Sequence, residues 1–168
     1  MLDETEDDGD DAAPIDTLER FFSAHGWKHE RDGDEIVGHV KGSWTEFELR
    51  AIWRAEDGVL QFLALPDIRV ADERRQAIYE TIGLINEQLW VGHFELWSSS
   101  GILLYRCATA IETREGEATM SLPTAELLID SAIDECERFY PVFQFVLWAG
   151  KLPQDAIAAA MIDTQGEA

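Results

Sequence analysis

Thr45-Glu46-Phe47-Glu48-Leu49-Arg50-Ala51-Ile52-Trp53-Arg54 alternates apolar and charged side chains along nearly its whole length. A strand turns successive side chains to opposite faces, so Thr45, Phe47, Leu49, Ala51 and Trp53 share one face while Glu46, Glu48, Arg50 and Arg54 share the other. This is the pattern of an antiparallel sheet with one face on a core and the other toward water. A slip of one residue would turn the acids into the core, so the register is strongly specified.

On the C-terminal side, Glu56-Asp57-Gly58 reads as a turn. Val59 to Leu65 is apolar on both faces, which predicts a central strand covered on both sides and ended by Pro66. On the N-terminal side, Lys28 to Glu30 and Glu35 to Val40 flank the turn signal Arg31-Asp32-Gly33-Asp34, read as either a hairpin or one strand preceded by a loop. Before them, Asp16 and Glu19 have capping-box spacing, Leu18, Phe21 and Phe22 form an apolar stripe, and Gly26 supplies a stop, predicting a helix from Asp16 to His25.

Beyond Pro66, Asp72 and Glu73 suit a helix N-terminus, and Ile78, Ile82, Ile85 and Leu89 recur at helical spacing up to about Trp90. His93 to Trp97, the turn Ser98-Ser99-Ser100-Gly101, and Ile102 to Ala108 read as a second hairpin. Glu112 to Glu117 is a polar excursion. Ser121 caps a further helix with Pro123 in its first turn and Leu127, Leu128, Ala132, Cys136, Phe139 and Tyr140 on its buried side. Pro141 is expected to kink or restart that helix. Gly150 stops it, and Pro153 opens a short final helix through Met161. The order helix, three strands, helix, two strands, helix predicts an α+β fold in which helices pack on an antiparallel sheet, followed by a short C-terminal helix.

A chain of 168 residues and 19.0 kDa fits one domain burying roughly two thirds of its unfolded surface. The expected division is a mobile acidic tail over 1–13, a single domain over 14–162 and a short tail over 163–168. Thirteen basic residues against 34 acidic give a net charge of -21. Seven of those acids lie between Asp3 and Asp11, so the remainder still carries -14. That field repels phosphate backbones and anionic lipid, which argues against nucleic acid and membrane as partners. Cys107 and Cys136, the only cysteines, sit in apolar stretches without metal spacing and read as buried free thiols. The acidic N-terminus does not suit a signal peptide, and the chain is expected to be cytoplasmic.

No constellation of residues reads as catalytic. Ser98-Ser99-Ser100 lacks the Gly-x-Ser-x-Gly frame of a strained nucleophile elbow and has turn composition. His25 and His29 have ligand spacing, but Gly26 breaks the helix between them, and His39 and His93 stand apart on strands, so no metal or cofactor is expected. No Gly-rich phosphate loop occurs. The six tryptophans are mostly expected in the core, yet protein-recognition surfaces are also enriched in Trp. Trp44 shares the parity of Glu46 and Glu48, and these three residues form the expected partner surface.

The stretch from Leu65-Pro66 to Arg106 resembles the YbjN family of bacterial sensory transduction regulators. The likeness is carried by Asn86-Glu87-Gln88-Leu89, by Gly92-His93-Phe94-Glu95, and by Gly101 with Tyr105-Arg106. Phe139-Tyr140-Pro141-Val142-Phe143 and Trp148-Ala149-Gly150-Lys151 are similar to its alphaproteobacterial branch. The resemblance implies a fold like that of type III secretion chaperones and a non-enzymatic, chaperone-like protein-binding module, with no catalytic residues. An apolar-pocket sensor of small molecules, enclosed by the sheet and Tyr140 to Trp148, is the alternative. A homodimer is also expected, since an edge strand leaves backbone groups unpaired. The family-pattern residues Asn86, Gly92, Phe94, Gly101, Tyr105, Arg106, Pro141 and Gly150 read as structural. Asn86 is expected to tie the helix end to the next strand, Gly92 to permit a tight turn, and Arg106 to pair with a carboxylate across the hairpin.

Overall fold

The computed structural model describes residues 11–165. The acidic run up to Asp10 and the last three residues lie outside the described residues.

Helix α1 (Pro14–Ala24) starts two residues earlier than the capping pattern suggests and has no side-chain cap. Pro14 sets the start instead, because its ring is pre-shaped for the first helical turn and its missing N–H costs nothing there. Asp16 is freed to pair with Arg31, as Glu19 does. The chain is already anchored before Pro14: the Met120 amide donates to the Ala12 carbonyl over 2.8 Å, and Thr17 Oγ1 donates to the Met120 carbonyl over 2.8 Å.

The alternative left open after α1 resolves as a hairpin of β1 (Lys28–Asp32) and β2 (Glu35–Lys41). Strand β3 (Glu46–Arg54) buries Phe47, Leu49 and Ala51 as its alternation predicts. Strand β4 (Val59–Arg69) does not end at Pro66. It runs on through an irregularity between Ala64 and Ile68, with Asp67 at φ 58°. A bulge takes Pro66 out of the ladder, where its missing N–H breaks no hydrogen bond.

One turn of 3-10 helix (Asp72–Arg74) leads into α2 (Arg75–Asn86), which stops short of Trp90. Strands β5 (His93–Trp97) and β6 (Ile102–Ala110) form the second hairpin. The polar excursion holds a two-residue pair, β7 (Thr113–Arg114) with β8 (Glu117–Ala118). Helix α3 (Leu122–Leu147) is one element of 26 residues that continues through Pro141 rather than restarting there. Ser121 Oγ caps it by accepting from the Thr124 amide. Helix α4 (Pro153–Gln165) extends past the expected domain limit at 162.

The six larger strands make one antiparallel sheet in the order β1-β2-β3-β4-β6-β5. The core lies on one face of it, where Phe47, Leu49, Leu60, Phe62, Leu103 and Tyr105 meet buried residues of all four helices. Phe94 sits at its aromatic centre, edge-on to Tyr105, Phe139 and Phe143 at 5.2–6.0 Å between ring centroids. Leu63 and Leu104 are also buried, but on the opposite face and outside that core. The expectation that β4 is covered on both sides is met there without a second helical layer.

Candidate functional site

What covers Leu63 is legible in the register. It lies between Arg50 of β3 and Arg106 of β6, and Leu104 lies opposite Glu95 of β5. An arginine beside a buried leucine can lay its aliphatic stem along it; both side chains here are part exposed, with the Arg50 Nε buried and unpaired. The heads are held down by carboxylates: Arg50 donates to Glu48 over 2.7 Å, and Arg106 donates to Glu95. Glu95 also receives His93 Nε2 at 2.7 Å and Trp97 Nε1 at 3.3 Å. Burial works against the Glu95 charge, but the bonds from His93 and Arg106 outweigh it and hold the carboxyl below its usual value. The expected cross-hairpin partner of Arg106 is therefore Glu95.

The same face carries a depression of about 300 Å³ where β4 bulges, lined by His39, Glu46, Glu48, Leu65, Asp67 and Arg69 among others. Glu46 and Glu48 come together here as the sequence suggests. His39 joins them because register sets it opposite Glu48, and its ring lies 3.5 Å from Glu46. Asp67 and Arg69 arrive through the bulge that Pro66 conceals in the sequence. Among the described residues no three His, Cys, Asp or Glu side chains are grouped as metal ligands.

Trp44 is not on that face. It precedes β3 in the β2–β3 turn, and its indole stacks on Tyr140 of α3, with centroids 6.4 Å apart and planes 12° apart. The turn is fixed to the same helix by Glu137, which accepts from the Ser43 amide over 2.7 Å. Parity fails because the strand begins only at Glu46, and the turn before it rotates the side chain toward the helices. The structure thus separates Trp44 from Glu46 and Glu48.

Two further tryptophans are strongly exposed. Trp90 is 98% exposed, just after the segment whose Gln88 accepts from Arg138 of α3. Trp148, at the C-cap of α3, is 72% exposed, and Trp44 is 53% exposed. Trp90 is exposed because α2 ends at Asn86. The Asn86 side chain accepts from the Phe94 amide over 2.9 Å and donates to the Phe94 carbonyl over 3.2 Å, closing part of the β5 edge. That is the expected role of Asn86, and it draws the chain out of the helix before Leu89 and Trp90 can extend it.

The other family-pattern residues are placed as follows. A Cβ on Gly92 would come within 2.6 Å of the Arg106 carbonyl and the Tyr105 ring, so close packing rather than turn geometry demands glycine. Gly101 and Gly150 adopt positive φ, 71° and 65°. Tyr105 is fully buried with its hydroxyl 2.6 Å from Ser131 Oγ, and desolvation pushes its pKa up to about 12.

Residues weighed for chemistry are dispersed. The Ser98 carbonyl accepts from Arg75, and among the described residues no base hydrogen-bonds the three turn hydroxyls. His25 stacks on Phe21 at 4.1 Å, whereas His29 bonds the Trp27 carbonyl. Cys107 and Cys136 are buried and free, and desolvation raises both thiols, Cys107 to about 12. Among the described residues no helix is long and apolar enough to cross a membrane. An apolar groove of about 390 Å³ runs between α1 and the start of α3, floored by Phe21, Ala24 and Leu122.

No curated protein matches the chain significantly. Among solved structures, the chain is similar to the crystal structure of YbjN, described as a putative transcription regulator, from E. coli. They share 13% identity over 73% of this chain and 90% of that one, with a TM-score of 0.46. The YbjN family model, "Putative bacterial sensory transduction regulator", matches residues 14–145, from the start of α1 into the last turn of α3. On that match, which covers well over half of its length, the chain belongs to the YbjN family.

Proposed function

We propose that the chain is a non-enzymatic regulator that acts by binding another protein, with Trp44, Trp90 and Trp148 as recognition side chains. The observation that carries this reading is the strong exposure of Trp44, Trp90 and Trp148, with Trp44 stacked on Tyr140 of α3 and Trp148 at the C-cap of that helix. An indole left in water forgoes one of the largest apolar burials a side chain offers, and such residues are enriched among those that dominate protein interfaces. Family membership supports a regulatory role. The buried free thiols fit a reducing, cytoplasmic setting, and a chaperone-like mode of action rests on the resemblance alone.

The test is cross-linking of the tagged chain at native expression level, followed by mass spectrometry, with Trp44→Ala and Trp90→Ser beside the wild type. A reproducible partner lost in the variants is the expected result. Wild-type partners retained unchanged in both variants would overturn the assignment of these side chains.

A second reading, a small-molecule sensor, is favoured by the groove between α1 and α3. It places the pocket away from the Tyr140–Trp148 segment, whose Tyr140, Val142, Phe143 and Val146 pack into the core. A metabolite that raises the melting temperature in proportion to its concentration would establish it, and Leu122→Arg should abolish that shift.

A further inference from the structure

Helix α4 packs against α2 and α3. Pro153 and Ala156 are buried, and Ile157 and Ala160 are only partly so. The link that carries it, Trp148 to Leu152, is exposed throughout, and two of its side chains are large and apolar, with Leu152 at 69% and Trp148 at 72%. The link carries Gly150 at φ 65°, a left-handed conformation that favours glycine. The Lys151 amide closes the end of α3 by donating to the Phe145 carbonyl over 3.0 Å. Link and arm both lie past residue 145, where the family match ends.

We propose that the α4 arm exchanges between two copies of this chain, each arm seating on the α2 and α3 of its partner. The seat in a second copy is identical, so exchange preserves every arm contact and alters only the link. Opened, the two links run side by side across the two-fold axis, where Trp148 and Leu152 of each copy pack together and leave water. This deepens the protein-binding reading by naming one partner. It is tested on the purified chain alone, so losing every foreign partner in the cross-linking experiment would leave it standing.

The experiment measures mass by light scattering across the micromolar range for the wild type, Gly150→Ala, and the double variant Trp148→Ser with Leu152→Ser. An alanine strains only the closed link, so Gly150→Ala should raise the dimer-to-monomer ratio by roughly fivefold or more. The double variant should run as a monomer. In parallel, wild-type chains of light and heavy isotope are mixed, each with a photoreactive leucine analogue in place of Ile157. Light-to-heavy cross-links from the arm to α2 and α3 within the dimer are expected. A monomer at every concentration in both the wild type and Gly150→Ala, or a dimer whose arms cross-link only within their own chains, would overturn the proposal.

Discussion

The two faces of the sheet achieve burial by different means. On the helical face, Leu49, Phe62 and Phe94 are sealed by other apolar side chains from four helices. On the opposite face, Leu63 and Leu104 are buried beside Arg50, Arg106 and Glu95 in register, with the two guanidiniums bonded to Glu48 and Glu95. A buried leucine therefore does not imply a second layer, and an open face carrying many charges need not be a docking surface. The most exposed tryptophans, Trp44, Trp90 and Trp148, lie outside the strands, while Trp97 is partly exposed on this open face beside Glu95.

The largest expected effect lies on the helical face. Phe94→Ala removes the ring that meets Tyr105, Phe139 and Phe143 and should cost about 3–5 kcal/mol by urea unfolding. On the other face, Leu104→Ala should cost about 2–3 kcal/mol, at the low end for such truncations because flexible arginine stems can settle into the gap. Equal losses for the two variants would break the distinction between the faces.

Asn86→Ala sharpens it at the edge strand. Two backbone groups of Phe94 lose their partner, which should cost about 1–3 kcal/mol and speed hydrogen exchange at the Phe94 amide. Glu95→Gln tests the clamp through pH. The folded-state pKa of Glu95 is lowered, so its stabilisation is complete above the unfolded carboxylate range and is lost as pH falls through the folded value. Wild type should lose stability on acidification below about pH 4.3, and the variant should lose less over that window. The smallest effect belongs to Trp90→Ser, within about 0.5 kcal/mol, because an indole 98% exposed supports nothing in the fold.

Much of this was legible in local sequence. The alternation from Phe47 to Trp53 reports its own register, Ser121 and Gly150 mark the ends of α3, and the role of Asn86 is legible only through the family resemblance. What was illegible depends on partners distant in the chain. Pro66 reads as a terminator because a bulge is defined against the neighbouring strand. Trp44 shares the parity of Glu46, but its direction is set by a turn docked on Glu137, far along the sequence. Periodicity carries α2 to Trp90 because it cannot show that Asn86 spends its side chain on the Phe94 backbone.

Hydrogen exchange of the chain alone and bound to its cross-linked partner tests the central claim most directly. Recognition through the exposed aromatics predicts protection in the segments holding Trp44, Trp90 and Trp148, with β4 from Leu65 to Arg69 unchanged. Protection centred on that bulge and on His39, with the tryptophan segments unaffected, would contradict the account and move recognition to the open face of the sheet.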